Sequence, residues 1–499
     1  MNGSPGQAEY SNLVRGSLQH PVVDADGHFL ETPAVTLDYV EDECGRSMAG
    51  DLRNRLERRP GFGPLGPDWY DASAAERARH RLMRPGWWST PAENTLDRAT
   101  AMFPALLNER LDELGIDFAF LYPTDGLLLM SLPEPELRQG VCRALNRSYA
   151  DMFAAYRDRL EPVAVIPMVT PEEAIAELNH AVELGLRAIV MSHTERPGAD
   201  GGPSWLDGYG IDSMYDYDPV WQRCADLRLA PTFHGLSMGW GNRRSISNFM
   251  FNHIGHFAAA GDFVCKSLFM GGVPRRFPSL RFGFLEGGIS WAATLLQDLV
   301  GHWEKRRLPD LYRLSPARID HHGLEDLAGR YASPPWHRSV AKYSGFAALR
   351  DQDRETVDSI DEFRACSTET ADQLRASFVN AFTFGCEADD PMAALAFNPL
   401  LTGSEKPLQA MFASDIGHWD VTDMAQVLAE AYELVERGAM DEREFRGFTF
   451  DHAVSFYGAV QPNFFEKTAI AADASLVLEA SDGGCQQVAR LSATPVERV

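Results

Sequence analysis

The sequence predicts an α/β protein, a distorted (β/α)8 TIM barrel with an N-terminal cap insertion and a second insertion between strands six and seven. Three observations predict it. From about residue 105 onward, short apolar runs alternate with amphipathic segments, as parallel strands joined by helical crossovers do. Eight such runs lie near residues 22, 117, 163, 188, 231, 282, 382 and 410. Their carboxyl ends collect His, Asp and Glu, where barrel enzymes place their functional groups. A doubly wound sheet is the competing architecture, but no Gly-rich phosphate turn follows the first run.

In chain order, residues 1–20 read as a flexible polar arm, and 21–470 as the barrel with its insertions. Strand one covers 21–26. Residues 32–104 form the first insertion, rich in charge and in Trp69, Tyr70, Trp87 and Trp88, and read as a packed cap or as a lid walling an apolar substrate. Strand two, 116–122, follows a helix stopped by Gly115 and ends at Pro123-Thr124-Asp125. A long amphipathic helix, 134–159, leads to strand three at 163–167. Thr170 caps the next helix, with Pro171 in its first turn and Gly185 beyond its end. Strand four is 187–191, and strand five, 230–233, ends in His234. A single helix is expected over 249–270, then strand six at 281–285, ending in Glu286. After a helix over 290–307, residues 308–375 break the rhythm as a charged, irregular second insertion. Strand seven, 381–386, ends in Glu387; strand eight, 409–413, ends in Ser414-Asp415. Residues 471–499 read as a tail with little periodicity.

Bulk properties narrow the function. The 499 residues carry a formal charge of −25, which argues against nucleic acid or an anionic membrane as partner. A small-molecule substrate is expected instead. Seven scattered cysteines with no CxxC pair read as reduced thiols in a cytoplasmic protein. Neither a signal peptide nor an apolar run of membrane-spanning length is present, and long amphipathic helices outside the barrel are compatible with a homodimer.

Chemistry begins at Val22-Val23-Asp24-Ala25-Asp26-Gly27-His28. Asp26 and His28 are two apart, so on a strand both can face one point, and Gly27 allows close backbone approach. A carboxylate and an imidazole aimed together are a way of holding a divalent metal. His234, Glu286, Glu387 and Asp415 stand at other strand ends. His253 and His256 are three apart, hence on one face of the expected helix, and His256 is the candidate to reach a second metal. His418 follows Asp415 by three and could orient substrate or water; His193 stands at the end of strand four; His321-His322 reads as surface.

These motifs together resemble the amidohydrolase superfamily, in the branch that contains aminocarboxymuconate semialdehyde decarboxylase. Asp24-Ala25-Asp26-Gly27-His28 resembles its first-strand signature, Pro231-Thr232-Phe233-His234-Gly235 its fifth-strand metal histidine, and Met411 to His418 its eighth-strand metal aspartate. The runs Phe269 to Val273 and Phe284 to Gly288 resemble the approach to strand six and its end. The resemblance implies metal ligands Asp26, His28, His234 and Asp415, with Asp415 also as the general base and acid; the residues themselves add Glu286 and His256 as candidate ligands, and Glu286 and His418 as candidate catalytic groups. Two departures stand out. Asp26 replaces the first histidine of the usual His-x-His, and Glu286 stands where the decarboxylase has histidine. Both exchange nitrogen for oxygen, which shifts preference from Zn toward Fe or Mn. Three carboxylates also exceed the charge of one divalent ion, so a dinuclear metal centre, two irons among the options, or protonation of Glu286 would balance them.

Two functions follow. The first is a metal-dependent hydrolase using a metal-activated water, with non-oxidative decarboxylation close by. The alternative is a non-heme diiron monooxygenase on the same fold, hydroxylating a bulky apolar substrate such as a terpenoid or acyl thioester. A rare oxygenase offshoot of the fold resembles this site in ligand type, and Trp69, Trp87, Trp88 and Trp240 would suit such a substrate.

Overall fold

The structure is a computed structural model that describes residues 8–57, 69–86, 93–198, 204–235, 242–315, 318–342 and 360–480. Trp87, Trp88 and Trp240 lie outside the described residues. Its strands are β1 (Val23–Phe29), β2 (Phe118–Pro123), β3 (Leu160–Ile166), β4 (Ala188–Met191), β5 (Thr194–Arg196), β6 (Trp205–Asp207), β7 (Pro231–Phe233), β8 (Phe282–Phe284), β9 (Phe382–Glu387) and β10 (Gln409–Ala413). Eight of them form one parallel sheet in the order β1-β2-β3-β4-β7-β8-β9-β10. The seam between last and first is stitched where Asp415 N donates to Asp26 O and His28 N to Ile416 O, both at 3.0 Å. This is the expected (β/α)8 barrel. β5 and β6 form a small antiparallel hairpin after β4 that the strand count passed over.

Every residue of β1, β2 and β3 is buried. β2 and β4 are continuous apolar runs, as strands covered on both faces are, whereas β1 alternates Asp24, Asp26 and His28 with small or apolar residues although all are buried. Helices close the outside with the expected caps. Thr170 Oγ1 accepts from Glu173 N ahead of the helix Pro171–Glu183. Gly115 ends the helix Pro104–Leu114 at φ 76°, a conformation that disfavours any other residue.

Four expectations change. First, β1 runs three residues further than expected, so His28 lies on the strand rather than beyond it. Second, the helix expected over 249–270 is two: Phe249–His253 and His256–Met270, broken at Gly255 with φ 69°. His253 and His256 therefore do not share one helical face. Third, the arm is not loose throughout: Ala8–Ser17 is a helix, with Ser11 and Val14 buried and Arg15 Nε 2.7 Å from Asp117 Oδ2. Amphipathic spacing in so short a segment is easily missed. Fourth, residues 471–480 of the tail are helical, and Phe464, Phe465 and Ile470 just before them are buried. The second insertion holds the helices His321–Tyr331 and Pro334–Lys342, the first with no buried residue. His321 and His322 are exposed. Among the described residues, no helix is long and apolar enough to cross a membrane.

Candidate metal centre

The polar residues at the strand ends converge. β1 supplies Asp26 and His28, and the register with β2 slips between Asp24 and Gly27, an irregularity of the kind that re-aims side chains. Gly27 is required there, since a Cβ would sit 2.5 Å from Asp24 Oδ2. His234 follows β7 directly. Glu286 lies two residues beyond β8 and Asp415 two beyond β10. All five are buried, Glu286 the least so at 8% exposed.

Distances tie them into one cluster. His28 Nε2 lies 3.3 Å from Asp415 Oδ1 and 3.6 Å from Asp26 Oδ1. His234 Nε2 is 2.8 Å from Glu286 Oε2. His418 Nδ1 is 2.7 Å from Asp415 Oδ1, and its ring stacks on His28 at 3.9 Å. Among the described residues, two groups have donor atoms within 4.8 Å of one another: Asp26, His28 and His234, and His28, Asp415 and His418. They share His28. His256 is in neither; it is buried against Phe257 at 5.2 Å. Glu286 is in neither, although it touches His234.

Electrostatics shows what the cluster lacks. Burial pushes the Asp26 carboxyl well above the usual carboxylate range; the Glu286 charge adds to this and His234 opposes it. Burial likewise raises Glu286 and Asp415, with Asp420 adding to the first and Glu286 and Asp420 to the second. Glu387 is pushed up to about 9, by burial and then by Glu286. The imidazoles move the other way. His28 is held well below its ordinary value by burial and by His418 and His234, and His418 falls to about 3. Buried carboxylates facing neutral imidazoles, with no lysine or arginine among them in the described residues, form a site short of positive charge. Both oxygens of Asp26 are without a hydrogen-bond partner among the described residues. A buried carboxylate of that kind is costly unless a cation meets it. The donor set of imidazole nitrogen and carboxylate oxygen fits a divalent transition metal.

The backbone adds a second sign. Glu286 and Asp415 adopt φ of 59° and 49°, in the left-handed region that side-chain-bearing residues avoid. Such a conformation costs roughly 1–3 kcal/mol and gathers at functional sites.

Other residues hold the cluster in place. Asp24 takes no part in either group: its carboxylate accepts from Ser414 N at 3.0 Å, Ser414 Oγ at 2.5 Å and Asp26 N at 3.2 Å. His193 Nδ1 and the His234 carbonyl are 2.8 Å apart, which steadies the end of β7. Thr124 Oγ1 lies 3.2 Å from His418 Nε2, a contact that sequence reasoning did not name although Thr124 closes a strand end like the others. Glu31 accepts from the amides of Thr124, Asp125 and Gly126 and so anchors the loop that carries Thr124.

Above the cluster is an aromatic wall. Edge-to-face contacts run from His234 to Phe257 (5.6 Å), Phe257 to His253 (5.3 Å) and His253 to Trp419 (5.7 Å). Trp69, expected as cap or substrate wall, is a structural tie. Its Nε1 donates to Ile246 O at 3.1 Å, and the guanidinium groups of Arg77 and Arg84 lie 3.6 and 4.4 Å from its ring.

Comparison with known proteins agrees with this architecture. A family model described as Amidohydrolase matches residues 23–458. An amidohydrolase from Mycobacterium avium subsp. paratuberculosis K-10 superposes with a TM-score of 0.52 at 17% identity, covering 89% of this chain and 100% of its own. A 2,6-dihydroxybenzoate decarboxylase from Rhizobium gives a TM-score of 0.45 at 14% identity, covering 88% and 99%. A dihydroxybenzoic acid decarboxylase from Polaromonas sp. JS666, with bound manganese and 2-nitroresorcinol, gives 0.44 at 14%, covering 88% and 97%. At such identities the likeness concerns the fold.

Proposed function

The chain belongs to the amidohydrolase family, and on that premise we propose that it is a metal-dependent hydrolase of a small-molecule substrate, with non-oxidative decarboxylation as the neighbouring reaction. The observation that carries this is Asp26: buried, both oxygens without a partner, beside His28 and His234 at the barrel mouth. Asp26, His28 and His234 would hold the metal, and Asp415 would complete the set from the opposite side of the seam. A bound divalent ion supplies Lewis acidity, polarising a substrate oxygen and acidifying water.

The chain's own residues handle the proton. Asp415 accepts it at a carboxylate oxygen and returns it to the leaving group, and His418, 2.7 Å away, orients that carboxylate and shares its proton. Thr124 fixes the far side of the His418 ring. Glu286 beside His234 supplies a further ligand oxygen or a second acid. The Phe257, His253 and Trp419 rings exclude water from one side of the mouth.

A second reading rests on the two overlapping donor groups that share His28, together with three buried carboxylates. Three carboxylates would balance the charge of a dinuclear centre, and with two irons such a centre would suit a monooxygenase. Metal analysis of protein purified without added metal separates the readings. One manganese, zinc or iron per chain with anaerobic turnover supports the hydrolase or decarboxylase. Two irons per chain with oxygen-dependent turnover would overturn it.

A further inference from the structure

The neighbouring strands β8, β9 and β10 each lead into an acid: Glu286, Glu387 and Asp415. Phe284 pairs with Phe384 and Ala413 with Glu387, so strand spacing of about 4.8 Å sets the three strand ends side by side. Asp420 adds a fourth acid, exposed at the rim. No lysine or arginine forms an ion pair with any of the four among the described residues. Glu286 is 8% exposed, and its Oε2 makes no hydrogen bond there although His234 Nε2 lies 2.8 Å away. Glu387, half-buried, has neither a side-chain hydrogen bond nor an ion pair among the described residues. The largest charges acting on these groups are other carboxylates: Asp420 on Glu286, and both Glu286 and Asp420 on Glu387 and on Asp415. With Asp26 the mouth holds more carboxyl groups than one or even two divalent ions can neutralise. Acids crowded in this way hold protons until a cation replaces them. Aromatic faces edge the same mouth. Trp419, next to Asp420 in the chain and 38% exposed, meets His253 at 5.7 Å, and Asp420 is the charge that acts on His253.

We infer that the mouth recognises an organic cation, a substrate whose ammonium group is held by Glu286, Glu387 and Asp420 beside the metal, with its carbon skeleton against Trp419. Charge complementarity names the occupant. Carboxylates take the N–H donors of an ammonium in charge-assisted hydrogen bonds, and an exposed indole attracts the same charge through its ring face. An anionic group there would meet like charge at every turn. A further metal ion would use the carboxylates but leave the indole without a part. The inference rests on the reading of the cluster as a metal-dependent active site, and it narrows the substrate class to an amine.

Benzylamine and benzyl alcohol, alike in shape and different in charge, test it. Each is titrated calorimetrically at neutral pH into manganese-loaded and metal-free protein, and into Glu387→Gln and Asp420→Asn variants. Both changes keep the side chain's size, and neither residue belongs to a donor group of the centre. Benzylamine should bind at least about tenfold tighter than the alcohol, the size of one charge-assisted hydrogen bond. Loss of one carboxylate should cut that ratio to about threefold or less, with manganese content unchanged; a fall of this kind in either variant supports the inference. Three results overturn it: the two ligands alike in the unaltered protein, including no binding of either; a ratio unchanged in both variants; or two manganese ions per chain that fall to one in Glu387→Gln, which assigns the carboxylates to a second metal. A benzylamine preference in a protein that takes up no manganese sinks the metal reading and leaves the ammonium seat standing. Manganese uptake with no such preference does the reverse.

Discussion

Removing the side chain of Asp26 takes away two oxygens that nothing else in the described chain satisfies. Asp26→Ala should therefore lower metal content by more than about tenfold at limiting free metal, without destabilising the metal-free protein, because an unpaired buried carboxylate costs free energy. Plasma emission on the purified variant reads the first effect and thermal unfolding the second. His256→Ala is the contrast: it lies in neither donor group, and metal content should hold. Asp24 is of the same type, two residues away, yet it behaves differently. Asp24→Ala strands three donors, Ser414 N, Ser414 Oγ and Asp26 N, and should cost about 2–4 kcal/mol in urea unfolding of the metal-free protein. The sequence alone does not separate the two aspartates; resemblance to a first-strand signature singled out Asp26. Two of the three donors to Asp24 belong to Ser414, 390 residues away across the seam, where no local pattern reports them. The left-handed backbone at Glu286 and Asp415 was equally silent, since neither residue is Gly or Asn.

Elements were legible where periodicity was strong. The helix Pro171–Glu183 was anticipated to within a residue, because Thr170, Pro171 and Gly185 punctuate it. The break at Gly255 was not, because a lone Gly inside an apolar run is tolerated in a helix as often as it ends one. That break decides where the imidazoles point: with it, His253 faces the mouth wall and His256 is buried behind Phe257. The β5–β6 hairpin escaped because its strands are only three residues long. Between elements, Glu177 on the helix Pro171–Glu183 meets Asn146 on the helix Pro135–Phe153, accepting from Nδ2 at 2.6 Å. Burial pushes its carboxyl from 4.5 up to about 7, with Arg143 opposing and Glu43 adding. Between those two values the folded state keeps a proton that the unfolded state has released. Stability therefore falls as pH rises through the window, by about 3 kcal/mol in all. Glu177→Gln keeps the acceptor and removes the charge. Its thermal midpoint should match the parent near pH 4.5 and exceed it by a few degrees at pH 8; equal midpoints at both would show that the carboxyl titrates normally.

Across the whole molecule, barrel closure and the proposed metal centre meet at the same seam. β1 carries Asp26 and His28, and the chain just past β10 carries Asp415 and His418, while backbone bonds from Asp415 to Asp26 and from His28 to Ile416 join the two. Parallel pairing runs strand to strand around the sheet, while this junction is closed by individual bonds and by Asp24 with Ser414. An ion held by residues from both sides would cross-link the two ends of the barrel. It would also neutralise carboxylates that otherwise repel across the junction. Binding at a hundred times its dissociation constant stabilises the fold by about 2.7 kcal/mol. In a chain of 499 residues that is a rise of a few degrees in the unfolding midpoint. The effect should also be local. Chelation should speed hydrogen exchange at the amides of His28 and Asp415, whose bonds form the seam, and leave the amides of β3 and β4 on the far side of the barrel unchanged. Equal exchange at the seam with and without metal would show that the barrel closes by its backbone alone, and would place the ion on one side of the junction.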